Sequence, residues 1–540
     1  MGQTGYRCVH RDPLGALLGS VREAGVFEGN LAIRGANVIT MNPEQPRAEA
    51  LVVRDGRIAG VGRWRDMEAL AGGVRVLDLR GNTVLPGLID THAHFLWTAL
   101  SLAALDVSEA NDHATLQAIV GQAVADTADR EPILGMGFTE YALDSGAFSP
   151  IIAALDDVAP DHPVCLVGVT GHATAVNTRG LELMDFPEGT AGIMRDASGR
   201  PNGMLAGEAN NEAFGRFGEH FGTDDRAAEM VDAAIARAHS VGITGLHALE
   251  GGSAGDNQSA EAFLDRIPSL PLRLVFFYQT TDVQRVLKLG LPRIGGCILL
   301  DGDVAPRTAA LSEPYVDDPA CYGTLYYSQQ EIDDFVLEAH TAGLQVAMHA
   351  VGDAAVEQAL DAYEAALAAY PRDDHRHRIE HCEVIREKQI ERARRLGVAL
   401  AIQPPFNHYW DHTTYFDSIG EERASRVDPV RSLIRPGLLV AGGSDSTVTP
   451  LGPLIGVHAA VNHSLPHERV SVRQALELYT TNAARIGFQE QDKGSLVAGK
   501  LGDLVVLGAD PFAVGPGQII DIPVEMTVIG GEIVFRGESL

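Results

Sequence analysis

A chain of 540 residues, 45% of them apolar, can bury a large core, and its length fits one barrel of about 250 to 400 residues with a smaller companion better than a single unit. Its 42 basic and 72 acidic side chains leave a formal charge of −30, which excludes nucleic acid as an expected partner, and no apolar run approaches the roughly 18 residues of a membrane span. The five cysteines, Cys8, Cys165, Cys297, Cys321 and Cys382, form no CxxC pair, and their odd count argues against a disulfide scaffold, so a soluble protein of the reducing cytoplasm is expected.

Residues 1–29 carry no patterning that assigns them an element and are expected to form an N-terminal arm. From 30 to 82 apolar and polar positions alternate around turn signals, as in Leu51-Val52-Val53-Arg54-Asp55-Gly56-Arg57-Ile58, where Asp55-Gly56 suits a two-residue hairpin turn. The same texture returns over 488–540, in Asp503-Leu504-Val505-Val506-Leu507 and in 526–529 joined to 532–535 through Gly530-Gly531. The two ends are expected to pack as one small split β-sandwich domain.

Between them, over 83–487, short apolar strands alternate with longer helical stretches, the α/β rhythm of a (β/α)8 TIM barrel. Strands are predicted at 164–169, 242–247, 272–278, 344–349, 378–381, 398–403 and 438–444, and helices at 227–239, 330–342, 354–369, 386–396 and 472–486.

Active sites of barrels are built at the C-terminal ends of the strands. His92 and His94 close the strand Val84-Leu85-Pro86-Gly87-Leu88-Ile89-Asp90, and because alternate strand residues face the same way, the pair aims both imidazoles at one point. His349 and His381 end two further strands, and Asp445 follows Leu439-Val440-Ala441-Gly442-Gly443-Ser444. One histidine on an apolar strand is more often a hydrogen-bonded core residue than a ligand. Four at successive strand ends point to a divalent metal, zinc by the preference of imidazole, with a carboxylate placed to take a proton from water.

At these residues the sequence resembles the amidohydrolase superfamily, and more closely its YtcJ-like branch, which includes N-substituted formamide deformylase. The resemblance runs from about residue 30 to the end and rests on Leu-Pro-Gly-Leu-Ile-Asp-Thr-His-Ala-His at 85–94, Gly-His-Ala-Thr-Ala-Val-Asn at 171–177, Arg-Asp-Ala-Ser-Gly-Arg-Pro-Asn-Gly-Met-Leu at 195–205, Met-His-Ala-Val-Gly-Asp at 348–353, His-Arg-Ile-Glu-His at 377–381 and Gly-Gly-Ser-Asp-Ser at 442–446. It implies His92, His94, His349 and His381 as metal ligands and Asp445 as general base and metal neighbour, with one or two ions per chain. Where the relatives carry a lysine that can be carboxylated to bridge two metals, this chain has Cys297. A carbamate bridge is excluded there; Cys297 is either a thiolate ligand, as in D-aminoacylase, or an inert buried thiol.

His172, Arg307, Glu208 and Trp97 are the substrate-binding candidates, each with a structural role as the alternative. Phe406, His408, Tyr409 and Trp410 follow a strand and could wall a pocket for an apolar group. The expected reaction is metal-assisted hydrolysis of a non-peptide C–N bond in a small amide-like substrate, an N-substituted amide, formamide or carbamate, by an enzyme that associates as a homodimer or higher oligomer. Two alternatives stand beside it: deamination of an aminated heterocycle on the same ligands, and a metal-free barrel acting as a binding protein.

Overall fold

The computed structural model describes residues 28–110, 112–138, 151–168, 173–218, 224–251, 257–434 and 437–539. They fall into two compact units. One runs to Phe95 and resumes over Ile235–Glu250 and Ala262–Leu540; the other comprises Leu96–Ala234 and Gly251–Glu261.

The first unit contains eight parallel strands, β1 (Leu88–Ala93), β2 (Ile243–Glu250), β3 (Arg273–Tyr278), β4 (Arg293–Leu299), β5 (Gln345–Ala350), β6 (Arg378–His381), β7 (Ala399–Ile402) and β8 (Val440–Gly442), paired in that order. A parallel bridge between Ala93 and Ser446 brings the last strand end back to the first, so the sheet is a nearly closed barrel. Helices Gln329–Thr341, Asp353–Ala369 and Glu387–Leu396 separate β4 to β7 as the crossovers of parallel strands require. The helix expected over 472–486 is two, Val472–Leu478 and Thr481–Ile486, because Thr480 leaves the helical region at φ −133° and ψ −94°.

The chain's two ends share a second sheet, ordered 532–536, 524–529, 504–507, 83–86, 31–39, 47–54, 57–62, with 75–78 paired to 31–39. Strand Thr83–Pro86 joins the halves, antiparallel to Leu504–Leu507 and parallel to Leu31–Ile39. Both predicted two-residue turns form: Asp55 and Gly56 have φ of 49° and 75°, and Gly530 and Gly531 have 52° and 76°, the left-handed pair that matches strand twist. Leu31, Ile33, Leu51, Val53, Val84, Leu504, Val506 and Val528 fill the core of this sheet.

The strand predicted at 164–169 forms as Val164–Gly168 but is no barrel strand. It pairs with Ile133–Phe138 and Ala173–Val176 in a six-stranded sheet of the second unit. A fully buried apolar run has the same periodicity in either setting, so only its pairing partners distinguish the two. Among the described residues no helix is long and apolar enough to cross a membrane, and Cys165, Cys297, Cys321 and Cys382 are free thiols.

Three buried histidines tie the barrel wall together near the N-terminal ends of β5 and β6. His375 Nδ1 accepts from the His377 N–H and its Nε2 reaches the Leu396 carbonyl; His377 Nδ1 accepts from the Val346 N–H. The His377 Nε2 lies 2.8 Å from His340 Nδ1, and His340 Nε2 lies 2.7 Å from the Tyr370 carbonyl. The chain is satisfied when each ring carries one proton, so there is no place for a second. Burial, with His375, His340 and Arg372 nearby, holds His377 well below the usual histidine value. The unfolded chain therefore takes up a proton there that the folded chain does not. The stability is fully present above about pH 6.5 and is lost as pH falls towards the folded value, at about 1.4 kcal/mol per pH unit. The melting temperature is expected to drop between pH 7.5 and pH 5, and to drop less in His377→Gln, whose amide keeps both hydrogen bonds without titrating. Parallel curves for the two proteins would show that this ring does not set the acid limb.

Candidate metal centre

The C-terminal strand ends of the barrel gather six of the predicted side chains. His92 is the penultimate residue of β1 and His94 follows its end; Cys297 lies in β4, His349 is penultimate in β5, His381 ends β6, and Asp445 stands three residues past β8. Each of three triads, His92/His94/Cys297, Cys297/His349/His381 and His92/His381/Asp445, has ligand atoms within 4.8 Å of one another. Glycine permits the close approaches that this needs. At Gly443 a Cβ would lie 2.6 Å from the His92 nitrogen, and at Gly295, with φ 85°, it would lie 2.1 Å from the Ala347 carbonyl oxygen, so side chains there would force β8 from β1 and β4 from β5. His381 and Asp445 themselves take left-handed backbone, φ 73° and 54°, a conformation costing of order 1–3 kcal/mol for residues with a Cβ and concentrated at functional sites. The Asp445 N–H donates to the His92 carbonyl at 2.8 Å, which holds that turn against β1.

The donor spacing fits an ion. Metal–nitrogen bonds of about 2.0–2.1 Å and metal–sulfur bonds of about 2.3 Å at tetrahedral angles place neighbouring donors roughly 3.3–3.6 Å apart. Asp445 Oδ1 is 3.1 Å from His92 Nε2 and 3.3 Å from His94 Nε2, and Cys297 Sγ is 3.7 Å from His349 Nδ1 and 3.9 Å from His381 Nε2. Among the described residues His92 Nε2 and Asp445 Oδ1 are buried with no aligned hydrogen-bond partner, the pattern of lone pairs aimed at a shared centre rather than at each other.

Three of the imidazoles are oriented from behind. His92 Nδ1 lies 2.7 Å from Glu380 Oε2, His94 Nδ1 lies 3.1 Å from the Leu249 carbonyl, and His349 Nε2 lies 3.3 Å from the Gly302 carbonyl. Each acceptor places the ring proton on the outer nitrogen and leaves the inner one free to ligate. Glu380 is in turn gripped by Arg378, whose Nη2 donates at 2.6 Å, also bonds the Thr91 carbonyl, and whose Nη1 lies 3.0 Å from His247 Nδ1. Asp301, 3.5 Å from His349 Nε2, accepts from the backbone N–H groups of Ala310, Val351 and Gly352; burial raises its pKa to about 6 against the pull of those contacts.

The charges point the same way. Burial opposes ionisation of Asp445, but His92, His94 and His381 hold it well below the carboxylate range; burial opposes the Cys297 thiolate, but His349, His381, His92 and His94 hold it well below the thiol range. Against their burial, Asp445 and Cys297 raise His94 to about 10, and Cys297 and Asp301 raise His349 to about 9. That demand for positive charge is met by a divalent ion with all four rings neutral, the state in which histidine ligates.

Arg307 is bound to Asp317 through a largely exposed guanidinium rather than to any of the six. Trp97 is half-buried on the helix Phe95–Ala103, within the second compact unit. Glu208 is the second residue of the helix Gly207–Gly218, and His172 lies outside the described residues. Phe406 stacks beside His381 with ring centroids 6.2 Å apart and meets Trp410 edge-on at 5.5 Å. Sequence reasoning missed Glu380 and Arg378 as the support of His92, although Arg378 and Glu380 stand two apart on one strand and so face the same side.

Replacing Glu380 by Gln removes the charge that both Arg378 and His92 face. The expected result is a stability loss of about 3–5 kcal/mol, the cost of leaving a buried charge unpaired, and metal affinity 10- to 100-fold weaker. Chemical denaturation and competition against a chelator measure the two, and wild-type values for both would contradict the assigned role.

An amidohydrolase family model matches residues 75–535 of this chain. The amidohydrolase-like protein YtcJ of Bacillus subtilis (strain 168) is 30% identical over 532 residues, covering 93% of this chain and 98% of that protein. The N-substituted formamide deformylase of Arthrobacter pascens is 28% identical, over 94% of this chain and 98% of its own. Among solved structures, an uncharacterized metal-dependent hydrolase from Pyrococcus furiosus matches with a TM-score of 0.74 at 27% identity, over 89% of this chain and 100% of that one.

Proposed function

The chain belongs to the amidohydrolase family and is a metal-dependent hydrolase of its YtcJ-like branch, and from that premise we propose that it cleaves a non-peptide C–N bond in a small N-substituted amide, formamide or carbamate. The observation that carries this reading is Asp445 Oδ1, buried, without an aligned hydrogen bond, and within 3.1 and 3.3 Å of two imidazole nitrogens. A carboxylate in that position reaches both the ion's ligands and whatever approaches them.

His92, His94, His349 and His381 would hold a divalent ion, which when bound would supply Lewis acidity, lowering the pKa of water towards about 7 and polarising a carbonyl. Asp445 Oδ1 accepts the proton released when water adds to the carbonyl carbon, and returns it to the departing nitrogen as the C–N bond breaks, so the carboxylate is regenerated and an amine leaves. Glu380 keeps the His92 proton on Nδ1 throughout. Phe406 and Trp410 offer an apolar wall beside His381 for the nitrogen substituent. Cys297, within reach of ligand atoms on both sides, would serve as a thiolate ligand beside either His92 and His94 or His349 and His381, a donor set that would suit zinc.

The metal-replete protein should release amine together with a carboxylic acid from N-substituted formamides and amides, and amine together with CO2 and an alcohol from carbamates. Asp445→Asn should lower kcat about 10²- to 10⁴-fold. Ammonia released from aminated heterocycles with no amide turnover would replace this reading with deamination. A protein holding no stoichiometric metal and turning over neither class would be a binding barrel.

A further inference from the structure

The barrel closes between β8 and β1, and it closes without a ladder. In the ordered sheet β1 pairs with β2 and β8 with β7; across the remaining gap the described residues form one bridge, Ala93 with Ser446. Its backbone bonds run from the His94 N–H to the Ser446 carbonyl at 2.9 Å and from the Asp445 N–H to the His92 carbonyl at 2.8 Å. Strand β8 is three residues long, too short to carry this pairing further down the wall.

Side chains of β1 take over below the bridge. Asp90 Oδ1 accepts two N–H groups, that of His92 on its own strand at 3.1 Å and that of Ser444 across the gap at 3.0 Å. The Thr91 hydroxyl donates to the Gly442 carbonyl at 3.0 Å. Beyond the gap, Ser444 Oγ accepts from the Ser446 N–H at 3.1 Å, and the Thr449 hydroxyl donates to the Ser444 carbonyl. Asp90 and Thr91 have no exposure to solvent and Ser444 has 2%, so bulk water cannot stand in for a lost bond.

The two donors gathered by Asp90 flank the reacting groups. One is the backbone of the ligand His92, and the other belongs to the residue immediately before Asp445. Because Asp445 holds left-handed backbone, φ 54°, the direction of its carboxylate depends on where the chain entering it is held. Asp90 Oδ2 has no hydrogen-bond partner among the described residues, so the side chain acts at this seam through a single acceptor atom. We propose that Asp90 is the positioning residue of Asp445: by gathering the His92 and Ser444 N–H groups on one oxygen it replaces the missing ladder and fixes the general base against the first ligand strand. That Asp445 serves as the base rests on the hydrolysis proposed above; its placement by Asp90 does not depend on which bond is cleaved.

Two substitutions separate the acceptor from the charge. Asp90→Asn keeps an oxygen where the two N–H groups converge and removes the charge, whereas Asp90→Glu keeps the charge and moves the carboxylate by one methylene. Loaded with Co(II), the protein reports the geometry of its ligands through the visible absorption spectrum, whatever the substrate. Asp90→Asn should keep the wild-type spectrum, and Asp90→Glu should shift it in the direction seen for Asp445→Ala. On a substrate that the wild type turns over, Asp90→Glu should lower kcat about 10²-fold with KM little changed, while Asp90→Asn stays within about threefold. Added to Asp445→Asn, Asp90→Glu should cost nothing further, since the group it positions is already disabled. Altered spectra in both Asp90 variants, wild-type spectra in both, or fully additive losses with Asp445→Asn would overturn the proposal. Should Asp90→Glu fail to fold, Asp90→Asn decides alone: a wild-type spectrum supports the proposal and an altered one overturns it. A wild type that turns over none of the panel would undo the proposed reaction and leave the spectral outcome standing.

Discussion

Glu380 carries a negative charge in the middle of the barrel with no exposure to solvent, and the geometry of the metal centre depends on how that charge is met. Burial alone would neutralise the carboxyl; Arg378, with His92, instead holds its pKa below the ordinary range. Arg378 is itself fully buried and stacked 4.7 Å over Phe277, so neither charge can be removed without stranding the other. Together they fix the His92 tautomer and the height of β6 against β1. His92 in turn receives the Asp445 N–H on its carbonyl, so the general base is registered to the same pair.

The ligands divide around Cys297. His92 and His94 approach it from β1, His349 and His381 from β5 and β6, and each group forms a triad with the sulfur. A lysine at this position would reach across with a long flexible stem. A cysteine has to be brought to the centre by the backbone, and the left-handed Gly295 and Gly296, with φ of 85° and 91°, press β4 inward immediately before it. The substitution and the strand geometry thus belong to one arrangement, in which a short, soft donor takes the place of a longer hard one.

The centre was legible in the sequence because strand-end residues of a parallel barrel converge whatever the connecting loops do. His92, His94, His349, His381 and Asp445 needed only the period of the strands and their order to be placed near one another, whereas Cys297 was singled out by the resemblance, at the place where the relatives carry a lysine. The two hairpin turns were legible for a local reason, since Asp55-Gly56 and Gly530-Gly531 favour one turn geometry. The strand at 164–168 was not assignable to its sheet, because an apolar run does not encode its neighbours. The support of His92 by Glu380 and Arg378 escaped for a related reason: a polar pair on a buried strand reads as a defect until the residue facing it across the barrel is known.

The central claim is that these six side chains form one metal centre with the thiolate of Cys297 inside it. X-ray absorption at the metal edge of the metal-replete protein tests it most directly. The account predicts a sulfur scatterer at about 2.3 Å beside nitrogen and oxygen at about 2.0–2.1 Å, with the sulfur shell lost in Cys297→Ser. A first shell of nitrogen and oxygen alone, unchanged by that substitution, would contradict it and leave Cys297 an inert thiol beside a centre built from the histidines and Asp445.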